Sequence, residues 1–196
     1  MTSVGASAQQ TVLIIRHAEK PEPPWGAGVD QTGNPDERSL APRGWQRAGA
    51  WAELFVPSLG GVASLPRPTR VVASAYKEHL TGTLGGKSRR PEQTVAPLAD
   101  KLGLEVDLSF TKGLERALAA TLAARDGVEV ALVCWQHEAI PDIARALAPD
   151  ADDIPPKWPE SCYNVVFRLC RPDGASQWSF DQVAPVMLEG DRPAVI

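Results

Sequence analysis

The chain has 196 residues, of which 43% are hydrophobic and 22% are charged, as is typical of one globular domain with its own core. Its formal net charge is −4, so no overall positive field favours nucleic acid or an anionic membrane as a partner. No apolar run approaches the roughly 20 residues of a membrane span, and the N-terminus lacks the features of a signal peptide. We therefore expect a cytoplasmic protein with a disordered tail at 1–10 and a single domain at 11–196.

The first half of the chain alternates between short β-branched runs and longer amphipathic stretches. Apolar residues at helical spacing predict helices, whereas Gly- and Pro-rich sequence predicts loops. Pro91 suits a first helical turn and Gly103 suits the end of the same helix. The predicted elements are strands at 11–16 and 70–74, a long loop at 17–39, and helices at 44–59 and 91–102.

The second half continues this alternation and ends in two strands joined by a turn. Strands that alternate with helices predict an α/β fold, here a three-layer sandwich around a mostly parallel central sheet. In such sheets, ligands bind beyond the carboxyl ends of the strands. The predicted elements are strands at 105–108, 128–134, 163–170 and 177–183, and helices at 114–122 and 140–147.

The three cysteines, Cys134, Cys162 and Cys170, predict free thiols rather than a disulfide framework. Cys162 and Cys170 flank a predicted strand, which holds them too far apart for a bond. The sequence has no Cys-x-x-Cys motif and no His-x-x-x-His motif, so a zinc site has little support. We expect neither a metal nor another cofactor.

Arginine and histidine side chains cluster at the predicted carboxyl edge of the sheet. Arg16 and His17 end the first strand, His137 and Glu138 follow the strand at 128–134, and Arg90 opens the helix after the second strand. Each residue alone is more often structural. Together they offer planar guanidinium forks for phosphate oxygens and a nucleophilic imidazole nitrogen. The pattern therefore predicts an anion site.

Four segments resemble the motifs of the histidine phosphatase (phosphoglycerate mutase-like) superfamily and follow the same order along the chain. Those motifs are an Arg-His-Gly/Ala-Glu signature, a Leu-(Thr/Ser)-x-x-Gly-x-x-Gln-Ala stretch, a Ser…Arg-Ala-x-Gln-Thr element and a strand that ends at a second His. The matching segments are LIIRHAE at 13–19, LAPRGWQRA at 40–48, Ser74 with RPEQT at 90–94, and VCWQH at 133–137.

The resemblance implies a phosphoglycerate mutase-like fold and a metal-independent phosphatase. It implies that His17 is the nucleophile and that a phosphohistidine forms on it. Arg16, Arg90 and His137 would bind the phosphoryl group. The substrate would be a phosphorylated small molecule or a phosphoprotein.

The chain departs from the family pattern in two places. Residues 75–89 form an insertion between Ser74 and Arg90, which is either a solvated loop or a pocket rim. The four-residue spacing to Thr94 selects Arg90 rather than Arg89 as the family arginine.

The general acid is the second departure. Glu138 directly follows the second histidine, as the acid does in the acid phosphatase branch, and is the favoured candidate. Glu115 and Glu78 remain alternatives, as does a solvated Glu138 that acts only as a charge at the helix N-terminus. Glu19 belongs to the signature, and we expect it to orient Arg16, Arg90 or a loop.

Three functions fit these residues. A phosphatase is favoured because the short segment at 103–128 predicts an open site. A phosphomutase would need a closed pocket that retains its intermediate. A phosphate-binding or regulatory module without turnover is the third, and the intact set of histidines and arginines argues against it.

Overall fold

The computed structural model describes residues 9–59, 61, 63–76, 88–125 and 127–196. Strands and helices alternate along the chain until the last two strands, and a short 3₁₀ turn at His137–Ala139 precedes the last helix. The elements are β1 (Gln9–Arg16), α1 (Pro42–Phe55), β2 (Arg70–Ala73), α2 (Arg90–Leu102), β3 (Val106–Asp107), α3 (Glu115–Ala123), β4 (Val130–Trp135), α4 (Ile140–Leu147), β5 (Val166–Pro172) and β6 (Ser179–Val183).

The strands form one six-stranded sheet in the order β3-β2-β4-β1-β5-β6. β1, β2, β3 and β4 are parallel, whereas β5 runs antiparallel to both β1 and β6. The register aligns Arg16 with Trp135, so β1 and β4 end at the same edge. The predicted mostly parallel sheet and the predicted β5–β6 ribbon are confirmed.

Helices cover both faces of the sheet. On β1, Leu13 and Ile15 pack in a cluster with residues of α1 and α2, whereas Val12 and Ile14 pack with residues of α3 and α4. All four side chains are fully buried. A strand buried on both faces is continuously apolar, which is the pattern that predicted it. The predicted three-layer sandwich is confirmed.

Two element boundaries differ from the prediction. β1 begins at Gln9, so Gln9 and Gln10 belong to the sheet rather than to a tail, and the buried Gln10 side chain donates to the Leu122 carbonyl. α1 ends at Phe55 rather than at 59. The following Val56 has an extended φ of −138° because Pro57 disfavours a helical conformation in the residue before it.

Two glycines have distinct roles in α1 and α2. A Cβ at Gly44 would lie 2.7 Å from the backbone oxygen of Glu19, so α1 approaches the loop after β1 as only glycine allows. Gly103 ends α2 with a left-handed φ of 67°, as predicted.

Three further expectations concern termini, thiols and membranes. Residues 1–8 of the predicted tail and residues 77–87 of the insertion, including Glu78, lie outside the described residues. The three cysteines are free thiols, and Cys134 is buried in the sheet. Among the described residues, no helix is both long enough and apolar enough to cross a membrane.

Candidate active site

Three strand ends meet at the carboxyl edge of the sheet. The backbone N–H of His17 donates to the Trp135 carbonyl at 3.0 Å, and that of Ser74 donates to the Cys134 carbonyl at 3.1 Å. The Gln136 amide nitrogen donates to Ser74 Oγ at 3.0 Å. The chain segments after β1, β2 and β4 are therefore joined at this edge, as the topology rule predicted.

His17 is buried in its neutral form. Its Nδ1 lies 2.8 Å from the Ala18 carbonyl oxygen, which can only accept, so Nδ1 carries the proton and Nε2 carries the lone pair. Burial, followed by the positive charge of Arg16 and then those of Arg90 and His137, lowers the pKa of His17 to about 3. At neutral pH the imidazole can therefore act as a nucleophile.

The start of α2 is attached to the loop after β1. Thr94 Oγ1 accepts a hydrogen bond from the Ala18 N–H at 2.9 Å and donates one to the Arg90 carbonyl at 2.7 Å. Gln93 Oε1 accepts from the Leu40 N–H at 3.0 Å. Gln93 and Thr94 of the predicted motif therefore fix the position of the first turn of α2, which carries Arg90, relative to His17.

The Arg90 guanidinium is half-buried and its arm is held by backbone oxygens. Nε donates to the Ser39 carbonyl at 3.2 Å and Nη2 donates to the Glu37 carbonyl at 3.0 Å. Nη1 has no hydrogen-bond partner among the described residues. The neighbouring Arg89 instead lies 4.9 Å from the Tyr76 ring centroid. Of these two neighbouring arginines, Arg90 and not Arg89 is among the charges that lower the pKa of His17, which favours Arg90 as the phosphate-binding residue.

Arg16 is fully buried and anchors a distant segment of the chain. Its Nη1 donates to the carbonyl oxygens of Pro159, Glu160 and Cys162, and Nη2 donates to the Tyr163 hydroxyl at 3.2 Å. The guanidinium also lies 3.8 Å from the Tyr163 ring centroid. Within the described structure, Arg16 Nε is buried without a partner. The phosphate-binding role of Arg16 stays a prediction, and Nε is its unused donor.

His137 lies in the 3₁₀ turn after β4. Its Nδ1 is 3.1 Å from Glu138 Oε2, although the two atoms are not aligned for a hydrogen bond, and its Nε2 is 3.9 Å from Glu160 Oε1. Burial and the charge of Arg16 lower the pKa of His137, and the two carboxylates oppose them. The structure therefore places His137 between two carboxylates near Arg16.

Glu138 is ionised in the free protein. Its carboxylate is 46% exposed and accepts a hydrogen bond from Lys112 Nζ at 2.5 Å. Burial raises the pKa of Glu138, but the hydrogen bond and charge of Lys112 outweigh it and leave the pKa below its usual range. A general acid at neutral pH needs a raised pKa. The sequence-based choice of Glu138 as proton donor therefore stays a prediction that the free structure does not favour.

Glu115, the described alternative acid, lies in the first turn of α3. Its carboxylate accepts hydrogen bonds from the Gly113 N–H and the Trp135 indole N–H, all at 3.0 Å. These bonds connect the start of α3 to the preceding turn and to β4. The structure therefore gives Glu115 a structural role, and Glu78 lies outside the described residues.

Glu19 belongs to a buried ion cluster rather than to the phosphoryl site. Arg47 Nε donates to both Glu19 oxygens at 2.9 and 3.1 Å, and its two Nη atoms donate to Asp191 at 3.0 and 2.8 Å. Arg43 lies 3.5 Å from Glu19. Within the described structure the Glu19 side chain bonds arginines of α1 rather than Arg16 or Arg90, and the expectation that it orients a loop stays a prediction. We call Glu19, Arg47 and Asp191 the Arg47 cluster.

Sequence reasoning missed Asp191, Tyr163 and Glu160. Each approaches from a segment beyond α4 that carries no recognised motif. Arg16 and Tyr163 are 147 residues apart, so no local pattern links them. Among the described residues, no group of three His, Cys, Asp or Glu side chains could hold a metal ion.

Solved structures of several mycobacterial proteins share this architecture. A mycobacterial glucosyl-3-phosphoglycerate phosphatase in complex with VO3 is 16% identical with a TM-score of 0.53, over 90% of this chain and 98% of that chain. Mycobacterial hydrolase 1 is 15% identical with a TM-score of 0.53, over 88% of this chain and 97% of that one. Mycobacterial hydrolase 2 is 14% identical with a TM-score of 0.52, over 89% of this chain and 90% of that chain. No protein-family model and no curated sequence matches the chain. At these identities the likeness shows a shared fold.

Proposed function

We propose that this chain, which has the phosphoglycerate mutase-like fold of the histidine phosphatase superfamily, hydrolyses phosphomonoesters through a phosphohistidine on His17. One observation carries the proposal. His17 is neutral, its Nδ1–H is held by the Ala18 carbonyl, and the charges of Arg16 and Arg90 act on it at the carboxyl edge of the sheet. This combination supplies a nucleophile and cations for a phosphoryl group.

The reaction would take place in two steps. In the first, Nε2 of His17 attacks phosphorus, the bond from phosphorus to the ester oxygen breaks, and that oxygen takes a proton from an acid or from water. In the second, water attacks phosphorus, the phosphorus–nitrogen bond breaks, and inorganic phosphate leaves. Covalent catalysis of this kind divides one difficult step into two easier ones.

Positive groups at the site would stabilise the charge on the phosphoryl oxygens. Among the described residues, Arg90 Nη1 and Arg16 Nε have no hydrogen-bond partner, and His137 would donate when protonated. Preorganised donors of this kind strengthen their interactions as charge develops in the transition state. With these groups the step needs no metal ion, so we propose metal-independent activity.

Hydrolysis is favoured over the two alternatives. The fold is shared with a glucosyl-3-phosphoglycerate phosphatase, so it is compatible with hydrolysis of a phosphomonoester, and the short segment at 103–128 favours an open site over the closed pocket of a mutase. A binding module without turnover would have no need of a neutral imidazole buried among cations. The substrate class stays a phosphorylated small molecule or a phosphoprotein. The cytoplasmic location, and the lack of a nucleic-acid or membrane partner, stay predictions.

Trapping the intermediate tests the proposal directly. A ³²P-labelled phosphomonoester, chosen from a screen of phosphate esters, should label the protein during turnover, and the label should be stable in base and labile in acid. His17→Ala should abolish labelling and lower kcat by more than about 10³-fold, as removal of a nucleophile does. Its circular dichroism should match that of the wild type. Near wild-type kcat in this variant, or activity that disappears with EDTA and returns only with a divalent ion, would contradict the proposal.

A further inference from the structure

The imidazole of His137 lies between two carboxylates that come from different parts of the chain. Glu138, the next residue, lies 3.1 Å from Nδ1, and Glu160, from the connection before β5, lies 3.9 Å from Nε2. Each ring nitrogen therefore faces a negative charge. An imidazole ring with a carboxylate at both nitrogens is favoured in its doubly protonated form.

Glu160 reaches this position because hydrogen bonds hold its backbone in place. Arg16 donates to the carbonyl oxygens of Glu160 and Cys162, and the Trp158 indole donates to the Cys162 carbonyl at 2.9 Å. The Tyr163 ring packs against the Arg16 guanidinium. The backbone of residues 159–163 is thus fixed beside the site, while the Glu160 carboxylate stays 77% exposed.

The two carboxylates differ in how much of their charge is free to act on His137. Glu138 is paired with Lys112 at 2.5 Å, which neutralises much of its charge. Glu160 makes no ion pair with a described residue other than His137. Burial, Arg16 and Lys20 disfavour the imidazolium form of His137 within the described structure. Glu138 and then Glu160 oppose them. Of these two carboxylates, Glu160 is the one without a described lysine or arginine partner.

We propose that Glu160 is a positioning residue of the site, whose carboxylate beside Nε2 favours the imidazolium form of His137 that would bind the phosphoryl group. The inference rests on the proposed function and extends it, because burial and Arg16 disfavour that form in the free protein and Glu160 acts against them. His17 is neutral and attacks, whereas His137 in its charged form would neutralise phosphoryl oxygens. Glu160 acts through His137 and needs no contact with the substrate.

Titration of His137 by NMR tests the contact without any need for turnover. The chain has three histidines, so ¹³C-labelled imidazoles give three signals, which single substitutions assign. Glu160→Gln should move the His137 midpoint toward acid, because it removes a negative charge, and Glu160→Asp should retain part of the effect. Glu105→Gln removes an exposed carboxylate just before β3, at the opposite edge of the sheet, and should change nothing. A His137 curve in Glu160→Gln that superimposes on the wild type would overturn the proposal.

The pH profile of kcat/KM tests the consequence for the reaction. Activity should fall as the pH rises through the pKa of His137, and in Glu160→Gln the fall should begin at lower pH. Above the midpoint the variant should be up to about fivefold slower, which is the size of effect that a charge at this distance produces in water. Below the midpoint it should match the wild type. A loss of equal size at every pH would indicate a structural role and overturn the proposal. A shifted His137 titration in a chain without phosphatase activity would leave the contact standing and reject the proposed function.

Discussion

The Arg47 cluster and the His17 site both bury charge at the end of β1, yet they differ in how their polar atoms are satisfied. In the cluster, all three nitrogens of Arg47 donate to carboxylate oxygens. At the site, Arg16 Nε, Gln136 Oε1 and His137 Nδ1 are buried without a hydrogen bond in the described structure. A buried polar group without a partner is costly, and proteins retain such groups mainly where they have a use.

This difference divides the predicted Arg-His-Ala-Glu signature into two parts. His17 is the proposed nucleophile, whereas Glu19, two residues later, holds α1 and the C-terminal segment together through Arg47. A shared motif therefore does not assign one role to all its residues. Buried charge alone does not locate an active site either.

Breaking the Arg47 cluster should cost the most stability. Arg47→Ala leaves the carboxylates of Glu19 and Asp191 buried without their partner, and we expect a loss of about 3 to 5 kcal/mol in the free energy of unfolding. Urea denaturation measures it. Arg43→Ala is the matched control. Arg43 is partly exposed and lies 3.5 Å from Glu19, farther than Arg47, so its loss should lower the free energy of unfolding much less. Equal losses, or a stable Arg47→Ala protein with a kcat lowered a hundredfold, would place Arg47 in the site rather than in the scaffold.

Removing a charged donor from the site should instead lower activity with little loss of stability. Arg90→Ala should lower kcat/KM by about 10²-fold or more, the usual cost of losing one preorganised donor. Arg89→Ala is its neighbour control and should have a much smaller effect, since Arg89 lies against Tyr76. Steady-state kinetics on one phosphomonoester measures both. The reverse ranking would show that the insertion at 75–89 had been misaligned.

The buried neutral form of His17 should make the protein less stable in acid. The pKa of His17 is about 3 in the folded protein against a usual 6.5, so below pH 6.5 the unfolded chain binds a proton that the native protein does not. The contribution of neutral His17 to the free energy of unfolding is therefore complete above pH 6.5 and is lost as the pH falls toward 3. Between pH 7 and pH 5, the wild type should lose about 2 kcal/mol more than His17→Asn. Parallel stability curves for the two proteins would mean that His17 is not held neutral.

Glu138 should give the smallest effect, because its ion pair is half exposed. If Glu138 is the general acid, Glu138→Gln should slow an alkyl phosphate about tenfold more than an aryl phosphate, whose phenolate leaves with little protonation. Lys112→Met should raise the pH up to which Glu138 can donate, since it removes the cation that holds the carboxylate ionised. Equal losses on both substrates would indicate a binding role, and unchanged rates would exclude Glu138 as the acid.

The sequence by itself determined the features that depend on local chemistry. A run of β-branched residues predicted β1, buried on both faces, and Pro91 and Gly103 bounded α2 to within one residue. Strand–helix alternation predicted the layered fold, and the strand-end rule placed His17 and His137 at one edge. The period of the hydrophobic pattern, the residues that form turns and the direction of the strands are local properties. They can therefore be predicted from a single sequence.

Only the tertiary structure decided which charges meet. Arg16 bonds the backbone of residues 159–162, Arg47 joins Glu19 to Asp191, and Glu160 faces His137. These partners approach from segments without a motif, and the Arg47–Asp191 pair spans 144 residues. Side-chain periodicity shows that a residue is buried, but its partner depends on how distant segments pack. The same packing decides whether a buried arginine stabilises the fold or keeps a donor for the phosphoryl group.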